Sequence, residues 1–166
     1  FRNAYRGTVP RIGERRKPTM KLKFKKLHPD AITPTRARPG DSGLDLYAYL
    51  PSQGAATIEP GGRQRFWTGI SIEPPEGFEA QVRGRSGLTN QGVIACGGLG
   101  TVDNGYRGDI GVTLMNLSYR EFTVRHGDRI AQLVVCPVAY PELIEVDELT
   151  DTLRGTGGFG STGVKS

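Results

Sequence analysis

An all-β fold of the sandwich, jelly-roll or barrel type is predicted by three observations. Apolar residues recur with period two from Met20 onward, and short turn signals separate the runs. Glycine and proline number 24 and 11 among 166 residues, too dense for a helical bundle. No segment carries a long helical stripe, and no apolar run approaches the ~18 residues a membrane span requires.

The elements follow in order. Lys21–Lys25 alternates charged and apolar residues, a strand with one wet face. Leu44–Tyr49 is the second strand, and Phe66–Ile72 the third, ended by Pro74-Pro75. Phe78–Arg83 alternates again, and Ser86 opens a short helix. Further strands are expected at Ile110–Leu117, Glu121–Val124 and Arg129–Val135. Pro39-Gly40, Pro60-Gly61-Gly62, Glu76-Gly77, Asn104-Gly105 and His126-Gly127-Asp128 are the turns. Many short strands at this spacing define the fold class.

The surplus charge of +5 sits in one place. Residues 1–19 hold six basic groups (Arg2, Arg6, Arg11, Arg15, Arg16, Lys17) and one acid, Glu14, whereas residues 20–166 hold 16 of each sign. The basic balance therefore describes an extension without apolar periodicity, expected to be disordered. We read it as a remnant or upstream-frame extension outside the domain, rather than a targeting or nucleic-acid-binding arm. Nucleic acid is not an expected partner of the electroneutral remainder, nor is a membrane. Two cysteines, Cys96 and Cys136, exclude a disulfide scaffold and fit a reducing compartment, with one bridge left open. A 36% hydrophobic fraction supports a modest core, part of whose apolar surface needs a partner subunit.

Four places carry chemistry that a plain β-domain does not require. In Arg83-Gly84-Arg85-Ser86-Gly87 a strand breaks into glycines flanked by arginine, which suits a phosphate but equally a solvated turn. In Thr101–Asp109, after Gly97-Gly98-Leu99-Gly100, an Asn-Gly turn suggests a β-hairpin. There Asp103 is either a general base with the flat face of Tyr106 beside it, or the cap of an ordinary turn. Gly155–Gly163 matches G-x-G-x-x-G literally, but the chain leaves no room for the helix that a dinucleotide or P-loop site needs. Its free amides, Arg154 and Phe159 can nevertheless wrap a polyphosphate and stack on a base. Finally, Asp45 and Gln132 are polar residues within strands, either wet-face positions or holders of Mg²⁺ through its waters.

Order is the strongest evidence. Pro39-Gly40-Asp41-Ser42-Gly43-Leu44-Asp45-Leu46, Arg83-Gly84-Arg85-Ser86-Gly87-Leu88, Gly100–Gly108, Gly127–Leu133 and the glycine-rich tail together resemble the five motifs of the homotrimeric dUTPase (dUTP diphosphatase) family. The resemblance spans about residues 21–163. It implies a distorted jelly-roll subunit in a homotrimer, with a core over 20–150 and a flexible glycine-rich arm over 151–166 that closes a neighbour's site. It implies Mg²⁺-dependent hydrolysis of dUTP to dUMP and diphosphate, and a cytoplasmic location, nuclear or organellar placement staying open. By position Asp103 is the general base, and Tyr106 packs on the deoxyribose. Backbone at Gly98, Gly100, Thr101, Val102 and Gly111 reads uracil. Arg85, Ser86 and Gly87 hold phosphates, and Asp45 and Gln132 position waters of the Mg²⁺ shell. Arg154, Phe159, Gly160, Ser161 and Thr162 belong to the arm, with Phe159 on the base. Where some members, the common bacterial type among them, carry Asn in the loop before the catalytic aspartate, this chain has Gly97-Gly98, which favours backbone readout. Asp41 stands where many members carry a small neutral residue, a change the sequence alone does not explain. A related jelly-roll class, the dCTP deaminases, and a non-catalytic regulatory protein are the competing readings.

Overall fold

The computed structural model describes residues 20–96, 98 and 100–158. Residues 1–19, with the whole charge surplus, and Phe159, Gly160, Ser161 and Thr162 of the arm lie outside the described residues.

Eleven strands and one short helix make up the described chain. The main sheet has the order β2 (Leu44–Tyr47), β11 (Arg129–Pro137), β6 (Phe78–Arg83), β8 (Gly100–Val102). A second sheet runs β4 (Arg63–Trp67), β9 (Gly111–Asn116), β7 (Val93–Ala95). Two ribbons complete the fold, β1 (Lys23–Lys26) with β5 (Ile70–Glu73), and β10 (Phe122–Arg125) with β3 (Ala55–Ile58). Every strand pair is antiparallel. Neighbours are mostly distant in sequence, so the strands wrap between layers as an all-β jelly roll demands.

Period two governs what is buried. On β9 Val112, Leu114 and Asn116 point inward, and on β6 Ala80 and Val82 do. They join Leu46, Phe66, Ile70, Ile130 and Leu133 in one apolar core. Asn116 is the polar member, and its site is complete. Its amide donates to the Ile58 and Arg120 carbonyls at 2.9 and 2.7 Å, and its Oδ1 accepts from the Ser118 amide and hydroxyl.

The structure corrects the expected elements in several places. Phe66–Ile72 is not one strand: β4 ends at Trp67 and β5 begins at Ile70. Gly69 turns the chain there with φ +68°, and a Cβ on it would stand 2.8 Å from that of Ala31. The alternation hid this break, because Phe66, Thr68, Ile70 and Ile72 are all buried with unbroken parity. The Asn104-Gly105 turn does not close a hairpin. β8 pairs with β6 and β9 with β4 and β7, so residues 103–110 form a loop that passes between the two sheets. β3 and β7 were not foreseen. The short helix α1 forms at Ser86–Thr89.

Asp41 acquires an explanation. Its carboxylate accepts from the Arg38 amide at 2.8 Å while Arg36 Nε donates to its carbonyl, closing the turn before β2. Both cysteines are free thiols. Strand structure stops at Pro137, and residues 139–156 are all exposed, including Tyr140, Leu143, Ile144, Val146, Leu149 and Leu153. Among the described residues no helix is long and apolar enough to cross a membrane.

Candidate active site

A cleft of about 290 Å³ opens between β8, β9 and the loop that joins them. Gly98, Gly100, Thr101, Val102, Asp103, Tyr106 and Gly111 all line it, so seven of the residues expected at the site converge in one place. Three glycines, Gly98, Gly100 and Gly111, are among its walls, and packing requires two of them. A Cβ on Gly100 would press on Val82 Cβ at 3.3 Å, and one on Gly111 would meet the Trp67 ring at 3.0 Å. Backbone donors and acceptors are thus exposed to the cleft where side chains would otherwise cover them.

Asp103 stands exposed on the rim, and its carbonyl accepts the Tyr106 amide at 3.0 Å in a tight turn. This turn folds Tyr106 back beside the carboxylate. The Tyr106 hydroxyl donates to the Asp109 carbonyl at 2.8 Å, which leaves a ring face toward the cleft. The loop is held from below by β5. Ser71 Oγ donates to the Arg107 carbonyl at 2.7 Å, and the Ile110 amide to the Ile70 carbonyl at 2.9 Å. Asn104 Nδ2 donates to the Pro74 carbonyl. A carboxylate on a loop with this many anchors is held in one place, as a proton-transfer group needs to be.

Sequence reasoning missed Arg65, Trp67, Asp109 and Thr113, which also line the cleft. The Arg65 guanidinium lies 5.6 Å from the Trp67 ring centroid, a cation–π pair closing one wall. Only their alternation along β4 could have signalled them, since Arg63, Arg65 and Trp67 share its exposed face.

The expected anion-binding residues gather elsewhere. None of Arg85, Ser86, Gly87, Asp45 and Gln132 lines the cleft. Asp45 and Gln132 are register partners across β2 and β11, and Gln132 Nε2 donates to Asp45 Oδ1 at 3.3 Å. Asp45 is 2% exposed, and its carboxylate also takes Arg85 Nε and Arg129 Nη1, each at 3.3 Å. Arg129 was not foreseen. Burial demands such partners, because a desolvated carboxylate without them is costly. Arg85 further donates to the Arg129 carbonyl at 3.1 Å. The amides of Ser86 and Gly87 open α1, where a first turn supplies no intrahelical acceptor, and nothing stands over Gly87. This group can receive an anion by sharing Arg85 and Arg129 between Asp45 and the newcomer.

For a divalent ion, one carboxylate and one amide do not make a closed oxygen cage. Among the described residues no three of His, Cys, Asp and Glu converge. The donor set fits outer contacts to waters of an ion carried by phosphates. Arg154 lies in the exposed arm, its Nε donating to the Gly157 carbonyl at 2.8 Å, apart from both groups.

Comparison with known proteins agrees with this geometry. The dUTPase family model matches residues 30–163. The deoxyuridine 5′-triphosphate nucleotidohydrolase of Hydrogenobaculum sp. (strain Y04AAS1) is 49% identical over 147 residues, covering 88% of this chain and all of that protein. The protein of that name from Beijerinckia indica subsp. indica is 53% identical over 125 residues, 75% of this chain and 78% of its own. Among solved structures, the Staphylococcus bacteriophage 80alpha dUTPase with dUpNHpp superposes with a TM-score of 0.78 at 27% identity, over 88% of this chain and all of that one. With an all-β fold, a backbone-walled cleft bearing Asp103 and Tyr106, and this span of similarity, the chain belongs to the dUTPase family.

Proposed function

We propose that this chain hydrolyses dUTP to dUMP and diphosphate, with Asp103 as the base. The observation that carries the reading is the convergence of Asp103 and Tyr106 on one glycine-walled cleft. Uracil enters it and is read by backbone at Gly98, Gly100, Thr101, Val102 and Gly111. A substituent on the base would meet these walls, and steric rejection of that kind outweighs the modest penalty for a missing group. Tyr106 packs on the deoxyribose where a 2′-hydroxyl would project.

Asp103 orients a water toward the α-phosphorus and accepts its proton. The new bond joins the water oxygen to that phosphorus, and the bond to the bridging oxygen of the leaving diphosphate breaks. Arg85, Ser86 and Gly87 hold the phosphates, and most of the rate comes from positioning and charge stabilisation. Mg²⁺ carried by the triphosphate would supply positive charge against the leaving diphosphate. Asp45 and Gln132 would hold waters of its shell. The dUTPase of phage phi11 of S. aureus, described with a structural Mg(II) ion, shares the fold with a TM-score of 0.69 at 24% identity.

In this reading the site is shared among three copies. Two observations support it: the phosphate-holding residues lie outside the cleft of their own chain, and the segment 139–156 exposes apolar residues that a second copy would bury. Arg154, Gly160, Ser161 and Thr162 then cover the γ-phosphate, and Phe159 stacks on uracil.

The test is one assay of dUTP, dCTP and UTP in the presence of Mg²⁺, following diphosphate and ammonia separately. Diphosphate from dUTP alone is expected. Ammonia from dCTP would replace the reading with a deaminase. Binding without either product would leave a regulatory nucleotide-binding protein.

A further inference from the structure

We infer that Gly108 and Asp109 form the seat that fixes the Tyr106 ring and so set discrimination against a 2′-hydroxyl. The inference rests on the assignment of Tyr106 to the deoxyribose.

Tyr106 is 44% exposed, and an aromatic ring on a surface loop ordinarily samples several rotamers. Here two features restrict it. Its hydroxyl is tethered to the Asp109 carbonyl at 2.8 Å. The hydroxyl end of its ring lies against Gly108, where an added Cβ would overlap the hydroxyl and stand 2.6 Å from Cζ. Gly108 has no left-handed φ, so glycine is required there for space and not for conformation.

A tether is only as fixed as its anchor. The Asp109 carboxylate accepts from Thr68 Oγ1 at 3.3 Å and from the Ile70 amide at 3.2 Å. Thr68 is fully buried, and its own amide donates to the Ile110 carbonyl at 3.1 Å. Asp109 is thereby clasped to the turn at Gly69 that separates β4 from β5, and its carbonyl cannot drift. The height of the Tyr106 ring over a sugar is set by this chain of contacts, from the buried Thr68 to the cleft. Neither Gly108 nor Asp109 touches reacting atoms, so both are positioning residues. Because the rejection of a 2′-hydroxyl is steric, a displacement of the ring by a fraction of an ångström opens the space it closes.

The experiment measures the ratio of kcat/KM for dUTP to that for UTP in the wild type and in Asp109→Ala, Gly108→Ala and Tyr106→Phe. Each variant is expected to lower the ratio about tenfold, the scale of one close contact in a snug pocket. Asp109→Asn retains an oxygen that can accept the Ile70 amide and should recover most of the loss. Binding of non-hydrolysable dUTP and UTP analogues gives a second readout from Trp67, the sole tryptophan, which lines the same cleft. A merely structural role would lower turnover of both substrates alike, because a ratio does not depend on how much of a variant is folded. Unchanged ratios across the three variants would overturn the inference. A wild type that hydrolyses dUTP without preferring it to UTP would instead remove the assignment of Tyr106. A wild type inactive on dUTP would remove the proposed function itself.

Discussion

The cleft and the carboxylate–arginine group solve opposite problems within one chain. The cleft carries Asp103 exposed on its rim, with no cationic partner among its hydrogen bonds. At the other group Asp45 is buried and each of its oxygens is engaged, by Arg85, Arg129 and Gln132. The first region suits the neutral base and sugar proposed for it, which would be read by shape and hydrogen bonding. The second gathers two guanidiniums on one carboxylate, and that surplus of positive charge suits an anion. Separating them in one chain lets each fold without compromising the other, and the proposed shared site would set a cleft from one copy against an anion group from the next.

The largest expected effect breaks the first region only. Asp103→Asn should lower kcat about 10²–10⁴-fold, the share of a general base, while dUTP affinity stays within about tenfold. Steady-state kinetics with direct binding of a non-hydrolysable analogue separates the two. Near-normal turnover would move the base elsewhere.

Next comes the arm that should span both regions. Removing residues 154–166 should leave the β-core folded, since Arg154 contacts only the arm's own Gly157 carbonyl among the described residues. Loss of stacking on the base costs about 1–3 kcal/mol. Loss of a charge-assisted phosphate contact costs about 1.5–3 kcal/mol more. A fall in kcat/KM of at least about a hundredfold is therefore expected. Mixed assemblies of the truncated chain with full-length Asp103→Asn should regain part of the activity. If verified mixtures stay as inactive as their parents, the arm serves its own chain and the sharing is wrong.

A third experiment addresses the anion group. Asp45→Ala leaves Arg85 and Arg129 without their counter-charge, and should lower unfolding free energy by about 1.5–3 kcal/mol, the scale of hydrogen bonds to a charged group. Inorganic phosphate should recover part of that loss in urea titrations, because a bound anion stabilises the native state by mass action. No stabilisation of either protein by phosphate would mean that the two arginines are not an anion site.

How much of this was legible in the sequence differs between the same two regions. Asp103, Tyr106 and the glycines before them lie within fourteen residues of one another, from Gly98 to Gly111, so the cleft is local and readable. Asp45 and Arg129 stand 84 positions apart and meet only through the β2–β11 register, which no local pattern encodes. The same limit explains the hairpin that did not form. Asn104-Gly105 is a genuine turn, but the strands on either side find partners with larger apolar faces in different sheets. It also explains Asp109, which reads as a charged turn residue until Thr68, 41 positions away, is placed beneath it.

The smallest effect belongs to a polar contact that serves neither region, and it calibrates what an exposed pair contributes. Tyr49 donates to Asp30 Oδ1 at 2.8 Å, and its ring stacks on His28 and meets His126 edge-on. The Tyr49 bond holds the Asp30 carboxyl below the usual carboxylate value, with His126 and His28 adding weakly in the same direction. Burial, and then the Asp30 bond, push the Tyr49 hydroxyl upward. A depressed carboxyl contributes stability above its unfolded pKa of about 4, and that stability is lost as pH falls through the folded value. A raised phenol contributes stability that is complete below its unfolded pKa of about 10 and is lost as pH rises toward the folded value. Replacing Tyr49 with Phe should therefore lower Tm slightly between those limits, and the gap from wild type should close at both ends. The gap should stay well under that of Asp45→Ala at every pH, because water screens the exposed pair and not the buried carboxylate. Thermal melts of both variants across pH decide the point, and an equal cost for the two would show that the burial of Asp45 has no energetic consequence.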